Sequence, residues 1–360
     1  MTENELSAYK TIYPDLSRIF DLISNDIDTV KEECLFVLDT NVLLLPYTSS
    51  SESMQKIKEV YKGLIQKKRL IILGQVAREF AENRPEKIKE LFQNVWRKYS
   101  SIQEYLIGDY PLLENLKEYM DALTKQDQVN KSIIDYRKSV EEVVKNIKSW
   151  KWDDPVSKLY KELFSSEVFY DPVFEKDFLR SEMDKRNNFK LPPGFKDQTK
   201  DINSDGDLII WLSILKLAEE KKENIIFVSG EEKSDWVHRS EKQILYPHFK
   251  LQYEFQLINP NKSFYLIQLS ELLRLFKVSY DIIEEIIKNE NAQRIISSNI
   301  AAVSYNAESN TLVIEFINEN IYEYYDVPEG IYQGLMSASS HGSYFDQYVK
   351  KGGYTYKKLR

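Results

Sequence analysis

Five acids stand where a chain that grips a cation would place them. Asp39 ends the apolar run "CLFVL" and is followed at once by Thr40 and Asn41. Glu79 falls in the first turns after a second apolar run, "RLIIL", and Asp207 opens a late helical stretch, "GDLIIWLSILKLAEE". Glu231 lies two residues past "NIIFVS", with Asp235 a little further on. If such groups converge, two carboxylates about 4 Å apart repel by roughly 4 kcal/mol at an effective dielectric near 20. Three or four together must then hold protons or a cation. Hard oxygen donors suit Mg²⁺ or Mn²⁺. Zinc fits poorly, because the set has no cysteine and only His238 is near it in sequence.

Each acid also has a plainer reading. Asp39 is equally an N-cap or turn residue, and Asp207 an ordinary helix-start acid favoured by the dipole. Glu79 can be the exposed side of an amphipathic helix, where Glu82 competes with it, and Glu231 a loop acid. The combination carries the argument, because ligands of open parallel sheets gather at the carboxyl ends of strands.

The elements that would position them alternate. A strand at 35–39 precedes a loop through Pro46, a helix in "MQKIKEVYKGLIQ", the strand "RLIIL" and a helix opened by Gly74. This alternation predicts a parallel sheet with crossover helices. From Pro85 to about Phe164 the chain turns charged and helix-periodic, with a turn at "GDYPLL", so a helical arm is expected over about 85–165. "LPPGFKD" excludes regular structure. The helix from Asp207, the strand "NIIFVS" and a last strand and helix in "SFYLIQLSELLRLF" complete the α/β part. Residues 1–33 read as a partly helical lead-in, 34–277 as the α/β domain and 278–297 as a connector. Over 298–360 the pattern becomes β-rich, with strands in "NTLVIEF" and "NIYEYYDV" and a short helix opened by Pro328. The fold class expected is therefore α/β, with a long helical insertion and a small β-rich (α+β) module.

Composition narrows the class. The 360 residues are 42% hydrophobic and 29% charged, which suits a folded globular protein. The single cysteine, Cys34, leaves no disulfide within the chain and points to a reducing, cytoplasmic setting. "MTENELSAYK" lacks the order of a signal peptide, and no apolar run has the length of a membrane span. A net charge of −8 disfavours a general nucleic-acid coat protein but not an enzyme built on carboxylates.

The motifs "VLDTNVLL", "GQVAREF", "GDLIIWL" and "IIFVSGEEKSDW" resemble the ordered acidic motifs of PIN-domain nucleases. "LPPGFKD" and the later "DW" resemble the family's large-insertion bacterial branch, and the likeness covers about 35–277. It implies that Asp39, Glu79, Asp207 and Glu231 hold Mg²⁺ or Mn²⁺. Glu231 stands where the family usually has aspartate, which leaves open whether it or Asp235 completes the site. Asn41 and Ser229 match supporting polar positions, and Asp197 and Lys200 the branch-specific stretch. The implied chemistry is metal-dependent phosphodiester hydrolysis with no side-chain nucleophile. Arg78, Arg84 and Lys200 are candidates for backbone phosphates, with solvated surface the plainer reading of each. An aspartyl phosphatase of the haloacid-dehalogenase type wants a second aspartate at position 41, where Asn41 stands. An inactive nuclease-shaped binding protein is the third reading.

"VSYNAESNTLVIEF", "YEYYDVP" and "GSYF" resemble the KTSC domain, which implies nucleic-acid or protein binding without chemistry of its own. Tyr344, Phe345, Tyr354 and Tyr356 lie among Lys350, Lys351, Lys357, Lys358 and Arg360. Aromatics beside cations suit RNA, and the plainer alternative is a tyrosine-packed β core with solubilising lysines. The resemblances together lead to an endoribonuclease in a bacterial toxin or defence setting. RNA is favoured over DNA, with tRNA among the candidate substrates. The arm is also open to a protein partner, without a specific compositional signal.

Overall fold

The computed structural model describes residues 9–21, 25–193, 205–230, 236–240, 243–291, 300–307, 309–316, 320–337 and 344–359. The chain divides into two compact units, Met1–Ile283 and Glu284–Arg360.

The first unit is built on a parallel sheet. Strand β1 (Cys34–Leu38) is buried along its whole length and leads through Asp39 into α1 (Thr40–Leu44). After α2 (Ser51–Gln66) come β2 (Leu70–Leu73) and α3 (Gly74–Ser101). Helices α4 (Lys117–Ser149) and α5 (Pro155–Leu163) return the chain to the two-residue β3 (Phe169–Tyr170). Then follow α6 (Lys176–Phe189), α7 (Gly206–Lys221), β4 (Asn224–Val228) and a hairpin of β5 (Val237–Ser240) and β6 (Gln243–Pro247). Helix α8 (Phe249–Ile258), β7 (Phe264–Ile267) and α9 (Leu269–Leu275) close the order, and α10 (Tyr280–Asn291) begins in this unit and continues past its end at Ile283.

The sheet runs β3-β2-β1-β4-β7, all parallel. The chain starts in the middle at β1, moves outward to β3, then returns to β4 on the other side. The switch point therefore lies between β1 and β4, where open parallel sheets leave a crevice at their carboxyl ends. Burial on both faces explains the unbroken apolar runs: Phe36, Val37 and Leu38 of β1 pair in register with Ile226, Phe227 and Val228 of β4, and all six are buried.

Three segments depart from the sequence reading. The helix that leaves β2 continues through Pro85 to Ser101, so crossover helix and arm are one rod. Proline removes one helical hydrogen bond. The turn before it is braced, with Phe80 edge-on to Tyr160 and Arg84 bonded to Asp154. The β5–β6 hairpin and the edge strand β3 carry too little periodic pattern to be read in advance.

The second unit is an antiparallel sheet in the order β11-β10-β9-β8. Its strands are β8 (Ile300–Asn306), β9 (Thr311–Phe316), β10 (Ile321–Tyr324) and β11 (Tyr356–Lys358), with α11 (Glu329–Ser337) between the last two. Alternation in "TLVIEF" puts Leu312 and Ile314 into a core with Tyr324, Leu335, Phe345 and Val349.

Among the described residues no helix is long and apolar enough to cross a membrane. Cys34 is buried, its thiol donating to the Val30 carbonyl at 3.1 Å. Burial pushes that thiol up to about 12, so it stays protonated and inert.

Candidate metal-binding edge of the sheet

Asp39 sits at the switch point. The ladder continues through its backbone, whose N–H donates to the Val228 carbonyl at 3.0 Å, and its side chain caps α1. It is only 8% exposed. A carboxylate this buried needs donors, and it has them. Thr40 N–H donates to Oδ1 at 2.7 Å, while Asn41 Nδ2 and the Ser229 hydroxyl donate to Oδ2 at 3.0 and 2.5 Å. Asn41 is fixed in turn from β4, its Oδ1 accepting from Gly230 N–H at 2.8 Å. The expected supporting residues Asn41 and Ser229 thus tie β1 to β4 through Asp39.

Glu79 reaches the same edge from α3. The Thr40 hydroxyl donates to its Oε2 at 2.9 Å and Gln75 Nε2 to its Oε1 at 2.9 Å. One threonine therefore bridges both carboxylates, amide to Asp39 and hydroxyl to Glu79. Thr40 and Gln75 were missed in the sequence reading. The available signals were the position of Thr40 between two polar residues at a strand end, and the i,i+4 spacing of Gln75 and Glu79. Asp207 lies half-buried in the first turn of α7, which packs against α3 and β4. The described residues thus join Asp39 and Glu79 and set Asp207 at the start of a helix packed against that of Glu79. Glu231, Asp235, Asp197 and Lys200 lie outside the described residues. Among the described residues no three histidine, cysteine, aspartate or glutamate side chains form a group that could hold a metal ion. The donors that are present are all oxygens, which fits a hard cation and not zinc.

The two arginines expected on phosphates are both engaged. Arg78 forks onto Asp171, at 3.1 and 2.5 Å, and is well exposed. Asp171 fits there because residue 74 is glycine; a Cβ at that position would lie 1.9 Å from its Oδ1. Arg84 differs from the expectation: its guanidinium holds the fully buried Asp154 at 3.0 Å and the Trp152 carbonyl, and stacks over the Trp152 ring. A charge that neutralises a buried carboxylate is not available to a substrate. Asp154 also caps α5, taking the Ser157 amide at 3.0 Å and its hydroxyl at 2.6 Å.

In the second unit the aromatic–basic set separates. Phe345 is core, and Tyr344 and Tyr354 pack against that core. Lys350 and Lys351 both lie beside Asp346, at 3.7 and 2.5 Å. Tyr356, Lys357 and Lys358 form the exposed edge strand β11. There Tyr356 meets Tyr322 and Tyr324 at 5.8 and 5.5 Å between ring centroids, and the Lys358 ammonium stands 5.9 Å over the Tyr322 ring.

Residues 35–251, more than half of the chain, match the family described as PIN like domain. The chain belongs to this PIN-like family. Its first unit accordingly has a nuclease-type fold. Residues 296–354 match the KTSC domain, so the PIN-like unit is followed by a KTSC module. An uncharacterized protein of Stutzerimonas stutzeri (strain A1501) is 33% identical over 63 residues, 18% of this chain and 89% of the relative. A KTSC domain protein of Yersinia pestis, known from its crystal structure, is 36% identical over 19% of this chain and 96% of that chain, with a TM-score of 0.18.

Proposed function

We propose that the PIN-like unit hydrolyses phosphodiester bonds with the help of Mg²⁺ or Mn²⁺, that RNA is its preferred substrate, and that the KTSC module contributes substrate affinity. The observation that carries the reading is the buried Asp39 carboxylate at the switch point, joined through Thr40 to Glu79. Asp39 is nearly buried, which costs desolvation free energy, and shared donors hold it beside the half-buried Glu79, an all-oxygen arrangement suited to a hard cation.

Asp39, Glu79 and Asp207 would hold the cation, with Glu231 or Asp235 completing the set. The cation supplies Lewis-acid charge for the phosphodiester and activates water for the attack. The chain's own residues do the positioning. Thr40 N–H, Asn41 and Ser229 fix both oxygens of Asp39, and the Thr40 hydroxyl and Gln75 fix those of Glu79. No side-chain nucleophile is required. Backbone phosphates further along the strand would meet Arg78, and Tyr356 with Lys357 and Lys358 would stack bases and meet phosphates in the module.

The test is cleavage of mixed RNA and DNA by the purified full chain across a Mg²⁺ and Mn²⁺ titration, with Asp39→Asn and Asp207→Asn alongside. Metal-dependent RNA cleavage lost in both variants, with melting curves unchanged, is the expected result. Equal cleavage by the double variant would end the proposal.

A second reading is a PIN-like protein that binds RNA without cutting it. It is favoured by Glu231, which stands where the family usually has aspartate. It predicts retained RNA binding and no cleavage at any metal concentration. A role as a toxin or in bacterial defence rests on family analogy alone. Sequencing RNA ends after induced expression tests it.

A further inference from the structure

The far end of the arm breaks the usual rule for surfaces. Between α3 and α4 the chain exposes Tyr105, Leu106, Ile107, Tyr110, Leu112 and Leu116, with Leu112 at 95% and Leu106 at 79% exposure. Single exposed apolar residues need no explanation, but a continuous run of large ones marks a contact surface.

The loop is held in one shape. Asn130 of α4, itself nearly buried, clips Tyr105 on both sides, donating to its carbonyl and accepting from its N–H, each at 2.9 Å. Gln126 accepts from the Ile107 N–H at 2.5 Å, and the Tyr119 hydroxyl donates to the Gly108 carbonyl at 2.8 Å. Gly108 takes φ +96°, open to glycine and strained for other residues. Side chains of α4 thus hold the loop backbone at Tyr105, Ile107 and Gly108, while the apolar side chains stay exposed. A preorganised loop loses little entropy when it docks.

Charge says what docks. From Ser101 to Asp121 there are five acids and one base, Lys117. Glu104, Asp109, Glu114 and Glu118 are exposed around the apolar residues. That rim repels RNA and anionic bilayers, and it repels the same tip on a second copy. We infer that the arm tip is a docking surface for a protein of opposite character, an apolar patch or groove rimmed by Lys and Arg. The inference is independent of the nuclease reading and locates the partner at 104–118.

The test places photoreactive benzoylphenylalanine at Leu112 in the full chain, and at Lys138 as a control. The chain is irradiated in cells of the encoding organism, and the adduct is identified. The identified protein is then purified and titrated against the wild-type chain, Leu106→Asp/Leu112→Asp and Glu104→Lys/Asp109→Lys. The expected result is an adduct specific to position 112. Its purified partner should bind more weakly at high salt and lose at least about tenfold in affinity to each double variant. Melting curves verify that the variants fold. An adduct with a second copy, with lipid or with RNA would overturn the inference. So would labelling no greater than at Lys138, or a partner whose affinity neither double variant changes.

Discussion

The carboxyl edge of the sheet and the tip of the arm are opposites. At the edge, Asp39 is nearly buried and Glu79 half-buried, and their oxygens are met by donors from Thr40, Asn41, Gln75 and Ser229. At the tip, large apolar side chains are pushed into water while Asn130, Gln126 and Tyr119 fix the backbone beneath them. Each region violates the inside–outside rule in its own direction, and each is braced by hydrogen bonds against relaxing to the ordinary arrangement. The difference teaches that one chain can break the rule both ways, and it underlies two separate proposals: an ion at the acidic edge and a protein partner at the apolar tip.

The comparison breaks most sharply at Asp39. Asp39→Asn should lower RNA cleavage at least about a hundredfold, judged by single-turnover rates in Mn²⁺, with the melting temperature little changed. Loss of fold in place of loss of activity would make Asp39 a cap and nothing more. Asn41→Ala, which removes one of the two donors to Oδ2 of Asp39 and the acceptor of the Gly230 amide, should weaken activity or metal affinity by about ten- to a hundredfold. Thr40→Val keeps the amide bond to Asp39 and removes the hydroxyl bond to Glu79. A drop of about tenfold in rate with unchanged RNA affinity is expected.

Legibility followed the range of the interaction. Runs such as "CLFVL" and "NIIFV" announce buried parallel strands, and Asp39 was readable because a carboxylate interrupts one of them. The bridge through Thr40 was not, since a side chain's partner 39 residues away leaves no local pattern. Arg84 shows the cost of reading charges one at a time. It looked like a phosphate contact, and it neutralises Asp154 from 70 residues away. In the aromatic–basic tail the sequence leaves an RNA-binding face and a tyrosine-packed core as alternatives, and packing divides the residues between them, with Phe345 inward and Tyr356 outward.

Asp154 gives the comparison its structural control, a buried acid whose partners are all accounted for by stability. Breaking it with Asp154→Ala removes a helix cap and strands the Arg84 charge, for a loss of about 3 kcal/mol in urea unfolding. Burial pulls its carboxyl up, but the Ser157 hydroxyl and amide and the Arg84 charge outweigh it, so the net direction is below the ordinary value. A folded value below the unfolded one stabilises above the ordinary aspartate range near pH 4. That contribution disappears as pH falls through the folded value. Melting followed downward from neutral pH should therefore show a shallower acid limb in Asp154→Asn than in the wild-type chain. The smallest effect belongs to the tip: Leu112→Asp should leave cleavage and melting temperature unchanged, because its side chain is almost wholly in water.

The central claim is that the Asp39–Glu79 edge holds a divalent cation, and Mn²⁺ binding followed by electron paramagnetic resonance tests it without reference to any substrate. Wild-type chain should immobilise Mn²⁺ in the submillimolar range, and Asp39→Asn and Asp207→Asn should each abolish that binding. Unaltered Mn²⁺ binding in both variants, or none in the wild-type chain, would contradict the account.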